Sequence, residues 1–140
     1  MKILLAVDGS EYTKRMLSYI AAHDELLGAG HEYVVFTAVA PVPPHAAHFL
    51  DRSTLTDYYR SEAEEVLRSV KRFADQQGWN VRVHHAPGHP ADSIVALAEA
   101  EKPDLIVMGT HGHSALGCVV LGSVAMGVLA RCKAPVLLIR

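Results

Sequence analysis

The chain has 140 residues, a length that suits one compact domain. Half of the residues are hydrophobic and a fifth are charged, which excludes a disordered chain. A formal net charge of −2 excludes a strong general attraction to nucleic acid or to anionic membranes.

The chain opens with a short apolar run, Lys2 to Val7, that reads as a strand. Asp8-Gly9-Ser10 then makes a turn, and Ser10 is placed to cap a helix. The run is too short for a signal-peptide core. Met16, Leu17, Ile20 and Ala21 recur at helical spacing, and Gly28-Ala29-Gly30 stops that helix. Tyr33 to Val39 reads as a second buried strand, ended by Pro41, Pro43 and Pro44. From there to about Ser53 no period is visible, and a loop is expected. A long helix is expected from Thr56 to Gln77, with Tyr59, Ala63, Val66, Leu67, Val70, Phe73 and Ala74 as its apolar stripe.

Val81 and Val83 mark a short alternating strand. Gly88-His89-Pro90 opens the next helix, whose buried face is Ile94, Val95, Leu97 and Ala98. Leu105 to Met108 is a continuous apolar run, the pattern of a parallel strand covered on both faces. Gly109-Thr110-His111-Gly112 is a loop, and a helix starts near Gly122-Ser123, carrying Val124, Val128 and Leu129. Pro135 to Ile139 is the last strand. This βα repetition predicts a single α/β domain over residues 1–140, an open parallel five-stranded sheet with helices on both faces.

Ligands of such sheets sit beyond the carboxyl ends of the strands. Three loops leave such ends, carrying Asp8-Gly9-Ser10, Val39 to Pro44, and Gly109 to Gly122. In the third, Gly109, Gly112 and Gly122 let the backbone approach a ligand closely. Ser123 follows at a helix start, where free N–H groups and the helix dipole favour a phosphate. The loop lacks the lysine of a Walker loop and the tight three-glycine spacing of dinucleotide-binding folds.

Val7-Asp8-Gly9-Ser10, Met108-Gly109-Thr110-His111-Gly112, Leu121-Gly122-Ser123-Val124 and Ala134-Pro135-Val136-Leu137 together resemble the universal stress protein family, in its branch that binds ATP through this glycine signature. The resemblance implies a Rossmann-like fold of the adenine nucleotide alpha hydrolase-like type. It implies ATP, ADP or AMP as ligand, with a divalent cation such as Mg2+ held through the phosphates. Asp8 would face the ribose or the phosphate-bound metal, with Ala6 and Val7 lining the pocket. Val39 would meet adenine through its backbone, and Met108 and Gly109 would flank the nucleoside. Gly112, His113, Gly122, Ser123 and Val124 would surround the phosphates. It also implies a homodimer formed antiparallel through the last strand.

Two positions depart from the family's commonest pattern. His113 stands where arginine or lysine is frequent, and Ala125 where serine or threonine is frequent. Both changes predict weaker triphosphate binding, or a preference for AMP or ADP.

Other residues carry plainer readings. His111 and His113 lack the neighbours of a metal site, so no protein metal centre is expected. His84 and His85 point to opposite faces of a strand, and His23, His31 and His89 read as surface residues. Two cysteines, Cys118 and Cys132, make no disulfide framework and fit a cytoplasmic setting without membrane insertion. No nucleophile or general-base triad converges on the loops, so the sequence carries no catalytic residue and at most slow ATP hydrolysis. The readings in play are a dimeric nucleotide-binding stress or regulatory protein with an unidentified protein partner, a slow ATPase, and a nucleotide-free dimeric interaction module.

Overall fold

The computed structural model describes residues 1–113 and 121–140. Cys118, in the glycine loop, lies outside the described residues. Among the described residues eleven elements follow in chain order: β1 (Lys2–Ala6), α1 (Glu11–Ala22), α2 (Asp24–Leu27), β2 (Glu32–Val39), α3 (Pro44–Ala47), α4 (Arg52–Gln76), β3 (Asn80–Pro87), α5 (Pro90–Glu101), β4 (Leu105–Gly109), α6 (Ser123–Arg131) and β5 (Val136–Ile139).

The five strands form one parallel sheet in the order β3-β2-β1-β4-β5. β1 lies at its centre, where the chain order reverses. Ile3, Leu4 and Leu5 are fully buried because both faces of β1 are covered. Alternation sends them to opposite sides. Ile3, Leu5 and Val7 pack with Met16, Leu17 and Ile20 of α1 and Leu67 and Val70 of α4. Leu4 packs with Ile94 and Ala98 of α5 and Ala125 and Val128 of α6. The helices therefore cover both faces, and the expected α/β architecture holds.

The local differences have physical causes. The loop expected up to Ser53 contains the short α3, and α4 begins one turn before Thr56. Asp51 accepts the backbone N–H of Thr54 at 2.7 Å, a carboxylate cap that fixes the earlier start. Ser10 occupies the N-cap of α1, but its hydroxyl makes no cap bond and is buried without a hydrogen-bond partner. β3 runs over eight residues, longer than Val81 and Val83 suggested, because an edge strand tolerates Arg82, His84 and His85. In α6, Leu129 is 44% exposed, and Ala125 and Val128, three residues apart, define the inner face.

At the end opposite the strand C-termini, Arg82 bonds Glu32 and Glu101, and Lys2 Nζ reaches Glu101 at 3.2 Å. Hydrogen bonds from Arg82 and then Lys2 hold the Glu101 carboxyl down at about 2. Tyr33 is buried, stacks on Trp79 and donates its hydroxyl proton to the Leu27 carbonyl. Burial and then Asp24 push its phenol up to about 12. Burial likewise raises the Cys132 thiol above its ordinary value, which argues against a reactive thiolate there.

Candidate nucleotide site

The C-terminal ends of β1 and β4 open onto a crevice of about 850 Å³. All the residues singled out by sequence line it: Ala6, Val7, Asp8, Val39, Met108, Gly109, Gly112, His113, Gly122, Ser123 and Val124. The crevice lies at the point where strand order reverses, the position that open parallel sheets reserve for ligands.

Asp8 follows β1 directly. Its Oδ1 accepts the Ser10 N–H at 3.0 Å and the Thr13 hydroxyl at 2.9 Å. The same Thr13 hydroxyl oxygen accepts the Asp8 N–H at 3.1 Å. Gly9, at φ 76°, supplies the left-handed turn that lets the chain enter α1. The carboxylate is thus fixed through one oxygen, and Oδ2 faces the glycine loop.

Across the crevice the backbone comes close because side chains are missing. A Cβ on Gly109 would stand 2.7 Å from Tyr12 Cβ and 3.1 Å from the His111 carbonyl oxygen. A Cβ on Gly112 would overlap Asp8 Oδ2. At Gly122 it would stand 2.9 Å from the Thr110 carbonyl oxygen. That carbonyl accepts the Gly122 N–H at 2.7 Å, which closes the two ends of the glycine loop on each other. Thr110 N–H in turn bonds Ile139 of β5 at 2.9 Å. His113, itself exposed, lines the crevice, with Nε2 donating to the Asp8 carbonyl at 2.6 Å.

Gly122 is the N-cap of α6, and no side chain among the described residues caps this helix. The first-turn N–H groups and the positive end of the dipole therefore face the crevice beside Ser123. Ala125 lines the crevice too, but it is buried in the core face of α6, so the missing hydroxyl at this position is replaced by packing. On the other side, Val39 ends β2, and its carbonyl accepts the Gly88 N–H at 3.0 Å. Ala6, Val39 and Met108 give this end an apolar lining, opposite the polar end at Asp8, the glycine loop and α6.

Sequence reasoning missed several lining residues. Thr13 positions Asp8; its signal was a hydroxyl at the first turn of α1, five residues beyond the carboxylate. Gly88 and His89 form a fourth loop at the crevice, with Pro90 opening α5, because β3 ends beside β2. Glu62 and Val66 come from α4. The proline segment is tied down as well: the Val42 N–H donates to the Tyr59 hydroxyl at 3.0 Å. Among the described residues no group of three or more His, Cys, Asp or Glu side chains could hold a metal ion.

The family model for the universal stress protein family matches residues 1–140. The chain belongs to the universal stress protein family. Among relatives, this universal stress protein is 35% identical to one from Thermus aquaticus, over 99% of this chain and 97% of that one. With the universal stress protein MJ0531 of Methanocaldococcus jannaschii it shares 38% identity over 61% of this chain, an alignment that spans about half, 51%, of that longer relative. The solved structure of MJ0577 superposes with a TM-score of 0.81 at 28% identity, covering 99% of this chain and 94% of that one. A universal stress protein crystallised in complex with cAMP superposes with a TM-score of 0.67 at 25% identity, covering 100% and 96%.

Proposed function

We propose that this universal stress protein binds an adenine nucleotide in the crevice and works as a homodimeric stress-response or regulatory protein of the ATP-binding branch, its 140 residues acting as one domain. The observation that carries the reading is the juxtaposition of Asp8, fixed by Thr13 and Ser10, with a glycine loop that ends on the uncapped N-terminus of α6. The apolar end at Ala6, Val39 and Met108 suits an adenine ring, and Val7 and Gly109 flank the sugar. Gly112, Ser123 and Val124 offer main-chain N–H groups to phosphate, a receptor that needs no cationic side chain, and Gly122 lets the backbone approach closely. The relative crystallised with cAMP supports the adenine class.

The residues also fit a divalent cation carried in by the nucleotide. Asp8 Oδ2 is the protein oxygen that would complete its shell, with phosphate oxygens and water as the remaining ligands. Such a cation would neutralise phosphate charge. The Asp8 carboxylate would hold it and position the phosphates, while the other carboxylate of the described lining, Glu62, comes from α4.

The homodimer is assigned to the free edge of β5. Pro135 and Ile139 turn their carbonyls to β4, so the main-chain groups of Val136 and Leu138 point outward. The proposal places the protein in the cytoplasm; no helix among the described residues is long and apolar enough to cross a membrane.

The test is direct. Denature the purified protein, chromatograph the supernatant by anion exchange, and titrate the refolded chain with ATP, ADP and AMP by calorimetry. Co-purified adenine nucleotide or saturable binding is expected; absence of both at millimolar ligand would refute the reading. Sedimentation across a concentration series reads the dimer, and timed ADP release reads hydrolysis.

A further inference from the structure

The crevice lies across the strand ends, so strand alternation divides its lining between the two sides of the sheet. Met108 and Ala125 belong to the cluster that α5 and α6 cover, and Ala6 and Val124 pack against it. Val7 and Val39 belong to the cluster under α1 and α4, with Val66 packed against it. The apolar patch at Ala6 and Met108 and the start of α6, which serve adenine and phosphate, therefore stand on the α5 side. Val7, beside the sugar, opens onto the α4 side, where two polar side chains of the lining have no assigned role: Thr37 and Glu62.

Thr37 lies on β2. Val35 and Val39, two residues either way, pack under α1 and α4, so the Thr37 side chain takes that side too. It is 3% exposed and lines the crevice. Its hydroxyl has no hydrogen-bond partner among the described residues. Ser10 carries the one unpaired hydroxyl there that is sealed from solvent, so the Thr37 hydroxyl is reached from the crevice. A deeply buried hydroxyl without a protein partner is a group that a ligand can satisfy. Glu62 comes from α4. Tyr59, three residues before it, accepts the Val42 N–H, and Val66, four residues after it, stands 3.3 Å from where a Cβ on Gly9 would lie. Residues at this spacing share a helix face, which sets Glu62 between the exit of β2 and the turn after β1. Its carboxylate makes no hydrogen bond or ion pair among the described residues. The Thr13 hydroxyl, also on this side, is already engaged by Asp8.

We propose that Thr37 and Glu62 read the 2′,3′-diol of the ribose and make the site selective for ribonucleotides. The inference rests on the reading of the crevice as an adenine-nucleotide site and adds the group that the base and phosphate contacts leave unread. A ribose carries the base at C1′ and the phosphates through C5′, and its C2′–C3′ edge points away from both. With base and phosphates held on the α5 side, that edge turns to the α4 side. The chemistry agrees. A carboxylate accepts hydrogen bonds and repels phosphate, so Glu62 suits a donor. An adenine nucleotide offers donors at the two ribose hydroxyls and at the base amino group, and the amino group goes with the base to the α5 side. The Thr37 hydroxyl both donates and accepts, so it pairs with a ribose hydroxyl in either sense. Asp8 is left to the cation.

The experiment titrates the full chain with ATP and with 2′,3′-dideoxy-ATP by calorimetry, for wild type, Thr37→Val, Glu62→Ala and the double variant. Both ligands carry the same base and triphosphate, so changes in cation binding or in repulsion from Glu62 cancel in the affinity ratio. The wild type is expected to prefer ATP by about tenfold or more, the double variant by less than about threefold, and each single variant by a value between. Valine keeps the branched shape of Thr37 in its strand. Glu62 is an exposed helix position that alanine suits, so Glu62→Ala reports even if a change at buried Thr37 prevents folding. Equal wild-type affinities for the two ligands, or a preference unchanged in Glu62→Ala, would overturn the proposal. Inosine triphosphate, which lacks the amino group, is the cross-check: the ratio of ATP to inosine triphosphate affinity is expected to stay constant across the four forms. A shift in that ratio in place of the dideoxy ratio would mean that Glu62 reads the base, and would also overturn it. Failure of every form to bind either adenine ligand would instead overturn the nucleotide reading beneath it.

Discussion

Replacing Gly109 by alanine tests the architecture of the crevice with one methyl group. The new Cβ would lie 2.7 Å from Tyr12 Cβ and 3.1 Å from the His111 carbonyl oxygen. Carbon–carbon contacts are comfortable at about 3.5–4.0 Å, so the overlap is on the order of 1 Å. Tyr12 Cβ is bonded directly to the α1 backbone and cannot swing aside. The backbone conformation at Gly109 is open to any residue, so the cost is steric, not torsional. Relief requires α1 and β4 to separate, an overpacking of about 1–3 kcal/mol. For a chain of this size that lowers the melting temperature by roughly 3–10 °C. Gly30→Ala is the matched control: nothing lies within 4 Å of its added methyl, and a gain of about 0.4–1 kcal/mol is expected from the stiffer unfolded chain. Calorimetric unfolding of the two variants should move in opposite directions. Equal melting temperatures, or a Gly109→Ala protein as stable as wild type, would refute the claim that the missing side chain sets the approach of α1 to β4.

Thr13→Val removes the two hydrogen bonds between the Thr13 hydroxyl and Asp8, leaves the Asp8 N–H unpaired, and should cost about 1–3 kcal/mol, with a loss of ATP affinity larger than any loss of adenosine affinity in parallel titrations. Tyr59→Phe frees the Val42 N–H from α4; it should speed hydrogen exchange at Val42 and lower stability by about 0.5–1.5 kcal/mol in urea titrations. Glu101 titrates at about 2 in the folded chain against an ordinary value of 4.5, so its contribution to stability is complete above pH about 4.5 and is lost as the pH falls toward 2. Glu101→Gln should therefore flatten the acid limb of a plot of urea midpoint against pH, and an unchanged limb would count against the Arg82–Glu101–Lys2 cluster.

Much of the fold and part of the site were legible in the residue order. Leu105 to Met108 announced a strand covered on both faces, and it is one. The Gly109, Gly112 and Gly122-Ser123 spacing and Asp8 pointed to two loops that do meet. Local pattern carries such features because each is a short run with one periodicity. Convergence is different. Gly88, His89 and Glu62 reach the crevice only through the strand order β3-β2-β1-β4-β5 and the path of α4, neither of which leaves a local mark. Thr13 looks like any helix residue until its hydroxyl is seen to bond Asp8 twice. The start of α4 was misplaced because the Asp51 cap sits within a stretch that has no apolar period.

The two faces of the sheet have a consequence for how a ligand would be felt. Asp8 and Thr13 grow from the half of the molecule that α1 and α4 build, whereas α6, which begins at Ser123, belongs to the half that α5 builds. A molecule gripped at both ends is therefore a staple between two separately packed layers. Occupancy would weld them into one cooperative unit, so that signals could be written in the rigidity of the whole body without any large displacement of its parts.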